Sequence, residues 1–288
     1  MAQLSYLSPS SVDEAVKALS GASSRALSGG TDLLVQVRSG RAKPDQIVDL
    51  KRVPGLIGIR SENGGFVIGS ATCGAMLSEH PTLSKVWPGI VEAANLIGST
   101  QIQGRASLAG NLCNASPAAD SVPALIAARA TCVIAGPGGT RDAAVETIVT
   151  GPGKTSLAAG EFVVAFKLPP RGAKASDAYL RMIPRTEMDI AIAGAAVSLA
   201  LDADGVCTSA FVALGAVAPT ALLVAEAGQA LIGSRLEAAA LTRMEEAVRA
   251  ACQPISDKRG TADYRTKIAA VLAHRAAVIA WNRAKEQA

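Results

Sequence analysis

Two glycine-bearing segments carry residue types that suit a phosphorylated ligand. The first follows a predicted strand and reads Ala26-Leu27-Ser28-Gly29-Gly30-Thr31-Asp32-Leu33. Adjacent glycines expose consecutive backbone N–H groups without a Cβ in the way, which favours an anion, and the Thr31 hydroxyl adds a donor. A tight turn without a ligand is the alternative interpretation. The pattern is neither a G-x-G-x-x-G motif nor a P-loop, which disfavours Rossmann and kinase-type proteins.

The second segment begins at Ser107-Leu108-Ala109-Gly110-Asn111 and continues to Asp120. Its small residues allow a ligand to approach the backbone closely, because they carry little or no side chain. The polar side chains that follow supply hydrogen-bond donors and acceptors, which suits a polyol and a pyrophosphate; they are Asn111, Asn114, Ser116 and Asp120. A polar surface loop with an Asx-type turn is the alternative.

The composition excludes several other classes of protein. The chain has 288 residues, 49% of them apolar, and its net charge of +4 forms no basic block, which argues against a nucleic-acid binder. The five cysteines are widely spaced and there are only two histidines, so a disulfide scaffold or a self-contained metal or iron–sulfur site is not expected. Redox chemistry would therefore need a bound cofactor with few protein ligands.

The chain shows no targeting or membrane-spanning segment in its sequence. Residues 1–10 have neither a basic nor an apolar signal region, and the longest apolar stretch, at 190–201, is shorter than the about 18 residues that a membrane span requires. Together with the unpaired pattern of cysteines, this predicts a cytoplasmic protein with no membrane span.

The periodicity of apolar residues predicts an α+β chain with a boundary near residues 169–174, where Pro, Gly and basic residues cluster. Before it we expect helices at 11–19, 76–80, 87–96 and 123–130, strands at 25–28, 45–50, 55–60, 66–69, 131–135 and 162–168, and a loop at 97–111. After it we expect strands at 191–201 and 206–214 and helices at 219–231, 236–251 and 264–284. The last helix is amphipathic, with a polar side of Arg265, Lys267, Arg275 and Arg283.

Several motifs in order resemble one family. The segments A-x-S-G-G-T-D-L and R-A-S-L-A-G-N-L-x-x-A-S-P-x-x-D, followed by A-Y-L-R-M-I-P-R-T-E-M-D-I-A-I-A at 178–193, L-G-A-V-A-P-T at 214–220 and P-I-S-D at 254–257, resemble the FAD-binding (medium) subunit of molybdenum hydroxylases. This family includes the xanthine dehydrogenase and carbon monoxide dehydrogenase type. The resemblance covers nearly the whole chain, but Ala109 stands where many relatives have glycine.

The resemblance implies a vanillyl-alcohol-oxidase or PCMH-type FAD-binding fold of two α/β subdomains. A C-terminal domain follows, built from a three-stranded antiparallel sheet and helices. On this basis we expect a first FAD-binding subdomain at 1–55, a second at 56–170 and a C-terminal flavoprotein domain at 171–288. No cysteine-rich insertion is present, so the extra [4Fe–4S] cluster of some relatives is not expected.

The resemblance also assigns FAD contacts to individual residues, and no protein side chain as a catalytic group or metal ligand. One side of the pyrophosphate would be held by Leu27, Ser28, Gly29, Gly30 and Thr31, flanked by Ala26, Asp32 and Leu33. The other side would be held by Ser107, Leu108, Ala109, Gly110 and Asn111. Asp120 would bond ribityl or ribose hydroxyls. Ile97 and Val163 would make apolar contacts, and Arg181 would approach the flavin where some relatives carry Lys. Cys113 is expected to be a small buried filler, although a role near the flavin stays open.

The implied function is electron transfer within a heteromeric enzyme. FAD in this chain would take electrons from a small [2Fe–2S] subunit, which is fed by a large molybdopterin subunit, and pass them to NAD⁺, a quinone or O2. A dimer of heterotrimers is expected, with much of the weakly charged surface covered by these partners. The alternatives are a stand-alone FAD oxidoreductase of the same fold and an assembly protein for molybdenum enzymes.

Overall fold

The computed structural model describes residues 4–21, 23–186 and 188–286. Its helices in these ranges are α1 (Val12–Leu19), α2 (Leu33–Arg38), α3 (Gly74–Glu79), α4 (Leu83–Val86), α5 (Pro88–Asn95), α6 (Thr100–Gln103), α7 (Leu108–Cys113), α8 (Ser121–Ala127), α9 (Ala225–Gln229), α10 (Ala238–Ala251) and α11 (Ala262–Glu286). Short 3₁₀ helices lie at Leu50–Arg52 and Val145–Thr147. The strands are β1 (Ser5–Leu7), β2 (Ser24–Leu27), β3 (Gln46–Asp49), β4 (Ile59–Glu62), β5 (Gly65–Gly69), β6 (Thr131–Gly136), β7 (Gly139–Ala144), β8 (Val149–Gly151), β9 (Lys154–Thr155), β10 (Phe162–Leu168), β11 (Ala175–Met182), β12 (Ala193–Leu201), β13 (Cys207–Gly215) and β14 (Leu222–Leu223).

The strands form three main sheets and one small hairpin. The first sheet is parallel with the order β1-β3-β2, so β2 lies at its edge. The second is antiparallel with the order β4-β5-β10-β6-β7, and the third is antiparallel with the order β11-β12-β13-β14. The small hairpin pairs β8 with β9. The buried apolar side chains form three clusters, two of which are shared between neighbouring sheets.

Helix α1 confirms the helix expected at 11–19. Its first turn is capped by Ser11, whose hydroxyl accepts the N–H of Glu14, which satisfies one of the free donors at a helix start. Ala15 and Leu19 face the first sheet and pack in the same apolar cluster as Val48 of β3. This packing covers one face of the sheet and leaves the edge strand β2 free along its outer side.

A hairpin joins β4 to β5, the neighbouring antiparallel strands of the second sheet. Asn63 and Gly64 have φ angles of 50° and 77°, as a two-residue hairpin turn requires. The expected strand at 55–60 was wrong at its first four residues, since β4 begins only at Ile59. Gly55 and Gly58 have φ angles of 81° and 121°, which interrupt an extended strand.

The C-terminal part differs from expectation in two ways. Its sheet has a fourth, two-residue strand, β14, where the sequence predicted the beginning of a helix at 219–231. The only helix in that range is the five-residue α9. The pattern also failed to predict β11, whose residues alternate little in polarity because most of them are buried.

The long helix α11 packs against the third sheet through small side chains. The residues buried in this interface are mostly alanines, which allow the helix to approach the strands closely. The expected polar side is wrong at one position: Arg265 is only 4% exposed, because it bonds inward to backbone carbonyls and to Asp257. None of the helices in the described ranges is long and apolar enough to cross a membrane.

Candidate cofactor site

One cavity of about 570 Å³ lies beside the outer edge of β2. This volume is within the range of small-molecule sites in proteins. Its wall contains all of the first predicted segment and part of the second; the predicted residues that line it are Ala26, Leu27, Ser28, Gly29, Gly30, Thr31, Asp32, Leu33, Ile97, Ser107, Gly110 and Asn111. The two segments that the sequence singled out, 26–33 and 107–111, therefore share one cavity.

The two segments are in direct contact. The Ser28 and Ser107 hydroxyl oxygens lie 2.9 Å apart, and Arg105 Nε donates to the Gly29 carbonyl at 3.1 Å. A Cβ on Gly29 would collide with the carbonyl of Arg105, so only glycine permits this approach. Gly30 has a φ of 78°, which a residue with a side chain rarely adopts.

The second segment is helical, where the sequence predicted a loop. Ser107 caps α7 by accepting the N–H of Gly110 at 3.1 Å. The helix turns Leu108 and Ala109 into the core, so these two expected cofactor contacts do not line the cavity. It turns Gly110 and Asn111 toward the cavity instead. A Cβ on Gly110 would have only the Ser107 hydroxyl within 4 Å, so the cavity wall is open at this point.

The first segment offers free backbone donors to the cavity. No atom of the described residues accepts a hydrogen bond from the N–H groups of Gly29, Gly30, Thr31 or Asp32. Successive free N–H groups around a glycine of positive φ form a concave site that suits a phosphate oxygen. The residues present thus fit the pyrophosphate of a dinucleotide.

Charged side chains around the cavity favour an anionic ligand on balance. Arg25, Arg41 and Lys43 line it, together with the carboxylates of Asp32 and Glu161. Two bonds of 2.7 and 2.9 Å from Arg141 hold the pKa of Glu161 at about 2, so its charge is already neutralised by a partner. Burial raises the pKa of Asp32 above its ordinary value, which opposes a negative charge at this position.

Asn111 connects the cavity wall to the start of α8. Its side-chain oxygen accepts the N–H of Ser121 at 3.1 Å and the Ser121 hydroxyl at 2.7 Å. The amide NH₂ of Asn111 is then the side-chain donor that remains for a ligand. Asn114, which also lines the cavity, accepts a bond of 2.8 Å from Gln36 Nε2 and is held in place by it.

Three other predicted residues lie outside this wall. Val163 is buried in the core. Asp120 and Arg181 form an ion pair of 2.6 Å, and the Tyr179 hydroxyl donates to the other oxygen of Asp120 at 2.9 Å. Burial raises the pKa of Asp120 to about 6, although Arg181 and Tyr179 oppose the shift. Among the described residues the buried Arg181 Nε has no hydrogen-bond acceptor.

Sequence reasoning missed Arg41 and Lys43 on the cavity wall, and it expected Cys113 to be buried although a role near the flavin stayed open. Cys113 is exposed on the cavity wall rather than a buried filler. Arg41 and Lys43 lie just before β3, which pairs in parallel with β2. They therefore lie close to the first residues of β2. A parallel pairing of these two strands would have predicted this position, because the residues that precede two parallel neighbouring strands lie at the same edge of a sheet.

Comparison with known proteins identifies the family. Residues 2–171 match the family model for the FAD binding domain in molybdopterin dehydrogenase, and residues 178–279 match the CO dehydrogenase flavoprotein C-terminal domain. The carbon monoxide dehydrogenase medium chain of Hydrogenophaga pseudoflava is 33% identical over 280 residues, which cover 96% of this chain and 97% of that protein. The same medium chain of Afipia carboxidovorans is 34% identical over 282 residues, or 97% of each.

A solved structure agrees with these relatives. The structure of Cu,Mo-CO dehydrogenase in its cyanide-inactivated form contains a chain with a TM-score of 0.93 and 34% identity, covering 97% of this chain and 98% of that one. This likeness confirms the expected mixed fold, with an FAD-binding part followed by an antiparallel sheet and helices. The chain therefore belongs to the family of FAD-binding medium subunits of molybdenum hydroxylases, which are FAD-dependent oxidoreductase subunits of the carbon monoxide dehydrogenase and xanthine dehydrogenase type.

Proposed function

We propose that this chain is the FAD-binding electron-transfer subunit of a heteromeric molybdenum hydroxylase. It takes electrons from a [2Fe–2S] subunit and passes them to an external acceptor, which is NAD⁺, a quinone or O2. The observation that carries the proposal is the convergence of the two segments on one cavity, with consecutive free N–H groups at Gly29 and Gly30. FAD supplies the capacity to accept and release electrons singly or in pairs, and the protein supplies binding and orientation.

In this proposal the residues of the cavity hold FAD at its pyrophosphate. The N–H groups of Gly29, Gly30 and Thr31 bind one side, and Ser107 and Gly110 approach the other. Asn111 donates its amide NH₂, and Ile97 gives an apolar contact. The free Nε of buried Arg181 is the donor for a flavin atom, and Asp120 fixes that guanidinium in place.

The partners are a small [2Fe–2S] subunit and a large molybdopterin subunit, arranged as a dimer of heterotrimers. Support comes from the relatives, which are medium chains of dehydrogenases, and from the match to a chain of Cu,Mo-CO dehydrogenase. We further propose a cytoplasmic location, for which the support is that all five cysteines are free thiols.

The three sheets give support to a division into segments 1–55, 56–170 and 171–288. The parallel sheet is built from β1 to β3, the five-stranded sheet from strands between Ile59 and Leu168, and the last sheet from β11 onward. We propose that the first two segments enclose FAD, since both contribute to the cavity wall, and that the third adds Arg181.

The test is a titration of the FAD-free chain with FAD, followed by the quenching of flavin fluorescence. A variant Gly110→Leu places its side chain in the open part of the cavity, where only the Ser107 hydroxyl is near. We expect this variant to lose FAD binding but to keep its thermal unfolding temperature. The matched control is Gly138→Leu, because a Cβ at that position meets nothing within 4 Å.

Assembly is tested by co-purification with the proteins that associate with this chain, followed by metal and subunit analysis. The proposal expects molybdenum, iron and FAD in one complex, and electron transfer that is lost in Gly110→Leu. Substrate turnover by this chain alone would instead favour a stand-alone oxidoreductase. A wild-type chain that takes up no FAD would overturn the proposal, and capture of a molybdenum subunit without FAD would favour an assembly protein.

A further inference from the structure

Two cationic side chains outside the cavity bind consecutive carbonyl oxygens of the first segment. Lys51 Nζ donates to the Ser28 carbonyl at 3.0 Å, and Arg105 Nε donates to the Gly29 carbonyl at 3.1 Å. Neither Lys51 nor Arg105 lines the cavity. Both carbonyl groups are therefore directed toward partners that a ligand in the cavity does not contact.

The direction of a carbonyl fixes the direction of the next N–H group. In a trans peptide the C=O and N–H bonds point in opposite directions, and the described chain contains no cis peptide. The bond from Lys51 thus turns the Gly29 N–H away from Lys51, and the bond from Arg105 turns the Gly30 N–H away from Arg105. These are two of the donors that have no acceptor among the described residues and that border the cavity.

Lys51 is itself held by a buried carboxylate. Asp49 Oδ1 lies 2.6 Å from Lys51 Nζ, and Asp49 Oδ2 accepts a hydrogen bond from the Tyr6 hydroxyl of β1. Burial acts to raise the pKa of Asp49, but the hydrogen bonds from Lys51 and Tyr6 outweigh it and hold this pKa below its ordinary value. The carboxylate therefore stays charged at neutral pH. The ammonium group is therefore fixed from one side by Asp49 and fixes the Ser28 carbonyl on the other.

We propose that Lys51 and Arg105 are positioning residues that turn the Gly29 and Gly30 N–H groups toward a diphosphate in the cavity. This inference rests on the proposed function, in which that diphosphate belongs to FAD. The two side chains act through the backbone and do not touch the ligand. Tyr6 and Asp49 contribute through Lys51.

The inference is tested with Lys51→Met and Arg105→Met in the full chain, which remove the cations but keep aliphatic side chains. Each loses a charged hydrogen bond to a carbonyl, and we expect FAD to bind about tenfold more weakly. ADP, a second probe, carries the diphosphate without the flavin and should weaken by a similar factor. Matched controls are Lys17→Met and Arg60→Met, which change exposed cations on α1 and β4.

Three further readouts separate positioning from general stability. The FAD-free Arg105→Met variant should keep the thermal unfolding temperature of the wild type, whereas Lys51→Met, which leaves the buried Asp49 carboxylate without its cation, should lower it but stay folded at the temperature of the titration. Lys51→Arg should recover part of the affinity, because a guanidinium can still donate to the Ser28 carbonyl. Tyr6→Phe removes one hydroxyl from an exposed ring and should weaken FAD binding about twofold to threefold.

The outcomes distinguish the two proposals. If the wild type binds FAD and both Met variants bind it with unchanged affinity, the positioning role is overturned and the proposed function stands. Weaker FAD binding with unchanged ADP binding also overturns it, as does a loss of affinity that is matched by the Lys17→Met and Arg60→Met controls. If the wild type takes up no FAD, both proposals fall together.

Discussion

The hydroxyl oxygens of Ser28 and Ser107 lie 2.9 Å apart, although 79 positions separate the two residues in the chain. Ser28 follows the edge strand β2, and Ser107 caps α7. Ser107 Oγ also accepts the N–H of Gly110 at 3.1 Å. One oxygen thus joins the two segments and fixes the start of the helix, so the width of the cavity depends on it.

Ser107→Ala should destabilise the fold more than Ser28→Ala. Loss of an N-cap costs about 1 kcal/mol, and the hydroxyl contact adds about 0.5–1.5 kcal/mol. Urea unfolding of both single variants and the double variant measures the coupling between them, which we expect to be about 0.5–1 kcal/mol. Ser61→Ala, an exposed serine of β4, is the control. Strictly additive effects would contradict a direct bond between the two hydroxyls.

Gly29→Ala should separate the two segments. Its Cβ would collide with the backbone carbonyl of Arg105, which no rotamer change can relieve. We expect a loss of about 1–3 kcal/mol in the free energy of unfolding, and at least roughly tenfold weaker FAD binding. Gly138→Ala is the matched control, since its Cβ meets nothing within 4 Å. Equal behaviour of the two variants in urea unfolding and FAD titration would show that the close approach is unimportant.

The first segment could be predicted from the sequence because its requirements are local. Gly29 and Gly30 can adopt conformations that other residues avoid, and a strand was evident just before them. The helix α7 could not be predicted in the same way, since it has only six residues and includes Gly110 and Asn111, which are poor helix formers. It forms because Ser107 caps it and because Leu108 and Leu112 pack in the core.

The grouping of Asp120 with Arg181 also lies beyond sequence reasoning. Their side chains meet across 61 positions, and the third member, Tyr179, was not singled out at all. The Tyr179 hydroxyl fits only because Gly194 on the neighbouring strand has no Cβ, which would lie 2.6 Å from it. Such a contact depends on the register of β11 with β12, which is set by the packed sheet and not by any local pattern.

The stability contributed by Asp120 should fall as the pH rises. Burial raises its pKa in the folded chain from 3.8 to about 6, so between these values the folded chain holds a proton that the unfolded chain has released. Stability is therefore highest below this window and decreases through it. The measurement is urea unfolding of the wild type and of Asp120→Asn between about pH 4 and pH 7, where Asn does not titrate.

The free energy of unfolding of the wild type should fall relative to Asp120→Asn across this range. A relative rise would mean that the charge of Arg181 outweighs burial and holds Asp120 ionised. A variant of an exposed pair, Asp142→Asn, is the control, because Asp142 and Lys167 are both about half exposed and should give almost no trend.

Arg265→Met should cost far more stability than Arg275→Met on the same helix. Arg265 is buried and donates to the carbonyls of Ile192 and Ala216 and to Asp257, at 2.7, 3.3 and 2.7 Å. Its removal leaves two carbonyls and the partly exposed carboxylate of Asp257 without their donor, which costs about 1–3 kcal/mol for each buried group left unpaired. Arg275 is exposed, and its loss should change stability by less than about 0.5 kcal/mol.

Arg265→Lys should recover little of this loss, because one ammonium cannot reproduce the planar fork that reaches three acceptors. Urea unfolding of all three variants checks the order. Because Arg265 joins α11 to the backbone beside β12 and β13, the loss should be the same with and without FAD. If the loss of stability vanished when FAD was added, Arg265 would have to contribute to the cofactor site, although it does not line the cavity.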